Sequence, residues 1–172
     1  MYKRQVSDYH DEPAYVEAVA QSIRDFWQTR GRGEYLLLSF HGLPEKSRSQ
    51  GDPYFEQCHR TARLIAQALQ LKEERWKLVF QSRFGRAEWL KPYCVEALKA
   101  FPAQGIHQVD VVCPGFPVDC LETLEEIANT NRRIFLQAGG KAYRYIPALN
   151  AGSGHIEALV SLLDGRIDLY SI

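Results

Sequence analysis

The feature that most constrains this chain is a repeated change of rhythm. Short apolar runs alternate with longer segments whose apolar residues recur every three or four positions. Runs at 35–40, 77–81 and 109–113, with a weaker one at 142–146, read as strands, because a strand buried on both faces is almost continuously apolar. The segments between them read as helices. One starts at Asp11-Glu12-Pro13, where two acids and a proline suit a helix N-terminus, and runs to Trp27 with Val16, Val19, Ile23 and Phe26 on one face. Gly31 and Gly33 end it. A second helix groups Phe55, Cys58, Ala62, Ile65 and Leu69; a third passes through Trp89, Tyr93, Ala97 and Leu98; a fourth starts near Asp119; a last spans 153–163. This alternation predicts an α/β fold, a doubly wound four-stranded parallel sheet with right-handed crossovers, in which 35–40 and 109–113 are central. Ligands of such sheets meet the loops after the carboxyl ends of the strands.

At 172 residues, 45% of them apolar, the chain can bury one core and is neither a disordered tail nor a fibrous repeat. Lysine plus arginine and aspartate plus glutamate each number 21, so no global field exists to draw nucleic acid or anionic lipid, and no nucleic-acid partner is expected. No apolar run nears the roughly 20 residues that cross a bilayer, and the N-terminus lacks the apolar stretch of a secretory signal, so a cytoplasmic protein is expected. Cys58, Cys94, Cys113 and Cys120 are irregularly spaced with no C-x-x-C pair, and they read as small core residues.

Three strands run into unusual loops: Ser39-Phe40-His41-Gly42-Leu43-Pro44, Gln81-Ser82-Arg83-Phe84-Gly85-Arg86 and Cys113-Pro114-Gly115-Phe116-Pro117-Val118-Asp119. His41 could be a base or a metal ligand, since imidazole titrates near neutrality and binds first-row metals; it could also be a histidine hydrogen-bonded at a strand end. Asp119 and Glu122 have the spacing of a capping box. Glu122, Glu125 and Glu126 share a helix face, opposite Leu121, Leu124, Ile127 and Ala128. Solvated, that face does nothing; bordering the crevice, it is a ladder of oxygen ligands leading toward His41. Tyr54, Phe84, Trp89 and Phe116 are each core candidates, yet four rings near one loop face suit a flat apolar ligand. Ser82, Arg83 and Arg86 could hold its anionic groups or stay solvated. Gly31-x-Gly33 precedes its strand and so fails as a dinucleotide loop, while Gly139-Gly140 reads as a helix end.

Together with Gly51-Asp52-Pro53-Tyr54, Glu88-Trp89-Leu90-Lys91-Pro92, Asp119-Cys120-Leu121-Glu122-Thr123-Leu124-Glu125-Glu126-Ile127 and Tyr145-Ile146-Pro147-Ala148-Leu149-Asn150, these loops closely resemble ferrochelatase of the bacterial type, in family order. The resemblance implies insertion of ferrous iron into protoporphyrin IX, the closing step of haem synthesis. It implies His41 and Glu122 as the catalytic pair and as candidate metal ligands, with Glu126 as the next metal rung, and leaves open which of the pair takes the pyrrole protons and which delivers the iron. Tyr54, Trp89 and Phe116 would surround the porphyrin, and Gln81, Ser82 and Arg83 would lie in the loop beside it.

Iron and porphyrin are substrates, no prosthetic group is implied, and contact with a membrane would be peripheral at most. Some relatives bind an iron–sulfur cluster through C-terminal cysteines, but no cysteine follows Cys120, so no cluster is expected. Thr130 stands where some relatives continue the acidic ladder. The family enzyme is about twice this length, with its cleft between two Rossmann-like lobes, and the resemblance covers the C-terminal lobe. Residues 1–33 are expected to be a leading segment and helix, 34–172 the chelatase lobe, and the N-terminal lobe a missing partner; residues 1–5 have no recognised counterpart. The chain is then either the C-terminal half of a working ferrochelatase or a catalytically incomplete fragment that only binds metal or porphyrin. A severed lobe is expected to be marginally stable and to self-associate through a patch near Trp89 or along Val16, Val19 and Ile23.

Overall fold

The computed structural model describes residues 5–167. Strands β1 (Tyr35–His41), β2 (Trp76–Gln81), β3 (Gln108–Val112) and β4 (Ala142–Tyr145) form a wholly parallel sheet in the order β2-β1-β3-β4. As the apolar runs predict, β1 and β3 are central. Helices α1 (Pro13–Arg30), α3 (Tyr54–Ala68) and α6 (Ser153–Ile167) cover one face, with the short α2 (Glu45–Ser49) in the loop before α3. The other face carries α4 (Cys94–Ala100) and a π-helix (Glu122–Asn131) that runs on into α5 (Arg132–Gln137). Among the described residues no helix is long and apolar enough to cross a membrane.

The two-residue period of the strands decides which face each side chain serves. Leu36, Leu38 and Phe40 of β1 join Val19 and Ile23 of α1 and Ala62 and Ile65 of α3 in one core. Leu37 joins Cys94, Leu98, Ile127 and Phe135 in the other. Leu78 and Phe80 of β2 belong to the first core and Val79 to the second. Continuing the alternation puts His41 and Gln81 on the same face as Leu37 and Val79, the face that carries the π-helix. The register then sets His41 beside Gln81.

Three expectations are corrected. Residues 82–93 form a loop, and the third helix starts at Cys94 instead of before Trp89. Pro92 lacks an N–H and its ring restricts the residue before it, so a helix cannot run through this segment. Trp89 instead bridges to Pro44 and donates its indole N–H to the Phe84 carbonyl at 2.8 Å. The fourth helix is wound as a π-helix, whose wider turn closes each hydrogen bond five residues back. Thr123, Ile127 and Asn131 are its buried residues, while Leu121 and Leu124, expected on the apolar face, are 75% and 54% exposed. Finally, Val16, Val19 and Ile23 are 7%, 3% and 0% exposed, because α3 and α6 cover them. Among the described residues the large apolar side chains left exposed are Ile156, Val160 and Leu163 on α6, and Phe84, Val118, Leu121 and Leu124 on the segments that follow β2 and β3.

A buried carboxylate braces the sheet. Asp110 of β3, 1% exposed, accepts from Arg144 Nε at 2.7 Å, from the Trp27 indole N–H at 2.7 Å and from the Gly33 amide at 2.8 Å. One side chain therefore ties β4, the end of α1 and the turn into β1 to the centre of the sheet.

Candidate functional site

The site starts at the level ends of β1 and β2. His41 Nδ1 lies 2.6 Å from the Gly42 carbonyl oxygen. A carbonyl only accepts, so Nδ1 carries a proton, and in the neutral ring it is Nε2 that holds the lone pair for a proton or a metal. Gly42 permits the tight passage out of the strand: its N–H donates to the Gln81 carbonyl at 2.8 Å, and a Cβ there would meet that oxygen at 2.7 Å and the Trp89 ring at 3.2 Å. Tyr54 donates its hydroxyl to the His41 carbonyl at 3.0 Å. Burial, the largest cause, holds that phenol far above its ordinary pKa, so it acts as a donor. The Phe116 ring centroid lies 6.2 Å from that of His41.

His41, Gln81, Ser82, Arg83, Trp89, Glu122 and Glu126 line one open cavity of about 790 Å³. That volume lies within the ordinary range of ligand pockets, about 300–1,000 Å³. Tyr54 and Phe116, expected around the porphyrin, do not line this cavity; Tyr54 lines a second, smaller cavity of about 180 Å³ with Tyr15 and Phe40.

Glu122 is exposed, and its Oε2 accepts from the Cys120 thiol at 3.1 Å. That hydrogen bond, then its own backbone amide, lowers the carboxyl below its usual value against a weaker opposing effect of burial; the attraction of His41 adds to the lowering. Glu122 is therefore an anion at neutral pH. The capping box does not form. Asp119 is instead a hub, accepting from the Tyr145 hydroxyl at 2.5 Å, the Asn150 amide at 2.8 Å and Thr123 Oγ1 at 2.9 Å. Burial pushes the Asp119 carboxyl up, but these donors together outweigh it and leave its pKa lowered. The stabilisation is therefore present above the unfolded carboxylate value and is lost as pH falls through the folded one.

Glu126 is committed elsewhere. Its Oε1 accepts from the Ser82 N–H at 2.8 Å and its Oε2 from Ser82 Oγ at 2.6 Å, holding Ser82 at a left-handed φ of 61°. Gln81, expected beside the porphyrin, is only 3% exposed. Its amide is spent on Ser39 Oγ at 2.8 Å and the Glu122 carbonyl at 3.0 Å. Arg83 is exposed, its guanidinium 4.7 Å from the centre of the Tyr93 ring. The Asp119 hub and the Cys120 contact escape sequence reasoning, although Tyr145 and Asn150 stand in the quoted blocks. Among the described residues no three His, Cys, Asp or Glu side chains gather as a metal cage.

The sequence model of the ferrochelatase family matches residues 2–167, so all but the first of residues 1–5, which have no counterpart in the quoted motifs, fall within it. A ferrochelatase of Methylococcus capsulatus is 61% identical over 164 residues, covering 95% of this chain and 50% of the relative. One of Nitrosococcus oceani is 58% identical, covering 98% and 46%, and one of Vibrio cholerae is 49% identical, covering 92% and 49%. The chain spans about half the length of the curated relatives it matches. With a family match across nearly the whole sequence and identities of 49–61% over most of it, the chain belongs to the ferrochelatase family.

Proposed function

We propose that this chain is the C-terminal, metal-handling half of a ferrochelatase, an enzyme that inserts ferrous iron into protoporphyrin IX. The observation that carries this reading is the pairing of an imidazole lone pair on His41 with an ionised Glu122 in one open cavity. Metallation exchanges two pyrrole protons for a dication, so the site needs a proton acceptor and a counter-charge close to the macrocycle. His41 Nε2 and the Glu122 carboxylate supply these. Two protein donors leave coordination positions open, as an incoming set of pyrrole nitrogens requires.

Trp89 and Arg83 on the rim suit a flat ring with anionic side chains, and walls that bend the ring expose its nitrogen lone pairs, binding energy offsetting the strain. Glu126, as an outer metal rung, would share its carboxylate between the metal and Ser82. The expected lobe, 34–172, follows α1 as its leading helix, and its last residues, 168–172, lie outside the described residues. The second wall of the cleft comes from the half of the relatives' length that this chain does not span, in a cytoplasmic enzyme that touches membranes at most peripherally.

The competing reading is a fragment that binds metal or porphyrin without turnover. An anaerobic assay with ferrous iron and protoporphyrin separates the two when the chain is tested alone and mixed with a separately produced N-terminal half of the Methylococcus relative. Haem formation on mixing is expected. Binding without haem formation in the mixture supports the fragment, and neither binding nor turnover overturns the ferrochelatase reading.

A further inference from the structure

We propose that Gln81 is a positioning residue for Glu122, an inference that rests on the metal site proposed above. Gln81 is the last residue of β2, faces the π-helix and lies beside His41 in the sheet register. Its side chain is hydrogen-bonded to three elements at once. Oε1 accepts from Ser39 Oγ of β1 at 2.8 Å and lies 3.5 Å from Cys113 Sγ, just past β3, while Nε2 donates to the Glu122 main-chain carbonyl at 3.0 Å. The orientation of the amide is fixed by chemistry, because a carbonyl cannot donate and so must face the NH₂ end. The buried amide thus joins the strand that ends in His41 to the residue that carries the facing carboxylate.

The Glu122 side chain itself is exposed, and its hydrogen bonds are local ones, to the Cys120 thiol and to its own amide. Its placement relative to His41 is therefore set through the main chain, at the atom Gln81 grips. The rest of the helix has its own ties: Ser82 holds Glu126, and Asp119 anchors Thr123. Losing the Gln81 tie should accordingly loosen the first turn and leave the fold standing. A charged or apolar replacement of equal length removes the donor and leaves the Glu122 carbonyl with the helix hydrogen bond alone, no longer tied to β2.

The test uses the whole 172-residue chain with Co²⁺ as the probe, followed by its visible absorption. Gln81→Met, which removes both ends of the amide at similar volume, is expected to weaken Co²⁺ binding by about 10–100-fold, the usual effect of losing a group that orients a metal ligand. The cobalt spectrum should change, while the chain still folds and melts cooperatively, at a somewhat lower temperature because the buried Ser39 hydroxyl loses its acceptor. Gln81→Glu, which keeps the acceptor toward Ser39 but loses the donor, should behave alike.

If Gln81 acts through Glu122, the Gln81→Met effect should disappear in a Glu122→Gln background. An undiminished effect there, or unchanged Co²⁺ binding in a folded Gln81→Met, overturns the proposal. If the unmodified chain binds no Co²⁺, the metal-site reading falls on its own. The tie is then decided by hydrogen exchange: faster exchange confined to the π-helix in Gln81→Met supports it, and unchanged exchange overturns it.

Discussion

Asp110→Ala is expected to lower folding stability by about 3–5 kcal/mol, the usual cost of breaking a buried ion pair by removing one partner. The loss is large because one deletion strands three donors, the Arg144 guanidinium, the Trp27 indole and the Gly33 amide. A domain of this size holds only about 5–15 kcal/mol in total, so the variant should melt far earlier or fail to fold. Urea unfolding followed by circular dichroism measures it. The double variant Asp110→Leu with Arg144→Leu should be less destabilised than Asp110→Ala, because both charges leave together. A single variant within 1 kcal/mol of the unmodified chain, a shift of the kind surface substitutions give, would refute the bracing role.

The second large effect belongs to chemistry. In the reconstituted mixture, His41→Ala and Glu122→Gln should each lower haem formation by about 10²–10⁴-fold, the range typical of a positioned proton-transfer group. Neither should change the melt appreciably, since Glu122 is exposed and His41 half-buried at a strand end. Tyr54→Phe, which loses only the hydrogen bond to the His41 carbonyl, should cost much less. Equal turnover in all three variants would move the chemistry elsewhere.

The difference between these two centres also explains what the sequence could disclose. Strand β1 is legible because Leu36, Leu37, Leu38 and Phe40 leave only Ser39 to interrupt an apolar run, and an ordered series of such runs separated by amphipathic segments admits few architectures. Asp110 is not legible, because one acid between two valines looks the same facing water or facing an arginine from another strand. Gln81 fails for the same reason: a polar residue at a strand end gives no sign whether its amide points into the cavity or back at the sheet. Three-and-four spacing presumes an α-helical turn and so places Leu121 and Leu124 on the apolar face, whereas both are exposed, and π winding is not written in side-chain periodicity. His41 and Glu122, by contrast, stand in specific motifs, and the strand alternation that sends His41 toward the π-helix follows from Leu37 two turns of the pleat earlier.

The central claim is that His41 and Glu122 hold one metal between them. X-ray absorption of the chain loaded anaerobically with one equivalent of ferrous iron tests it most directly. The account predicts a mixed nitrogen and oxygen shell with the outer scattering of one imidazole, lost in His41→Ala, and a reduced oxygen contribution in Glu122→Gln. An all-water shell, or a shell that neither substitution alters, would contradict it.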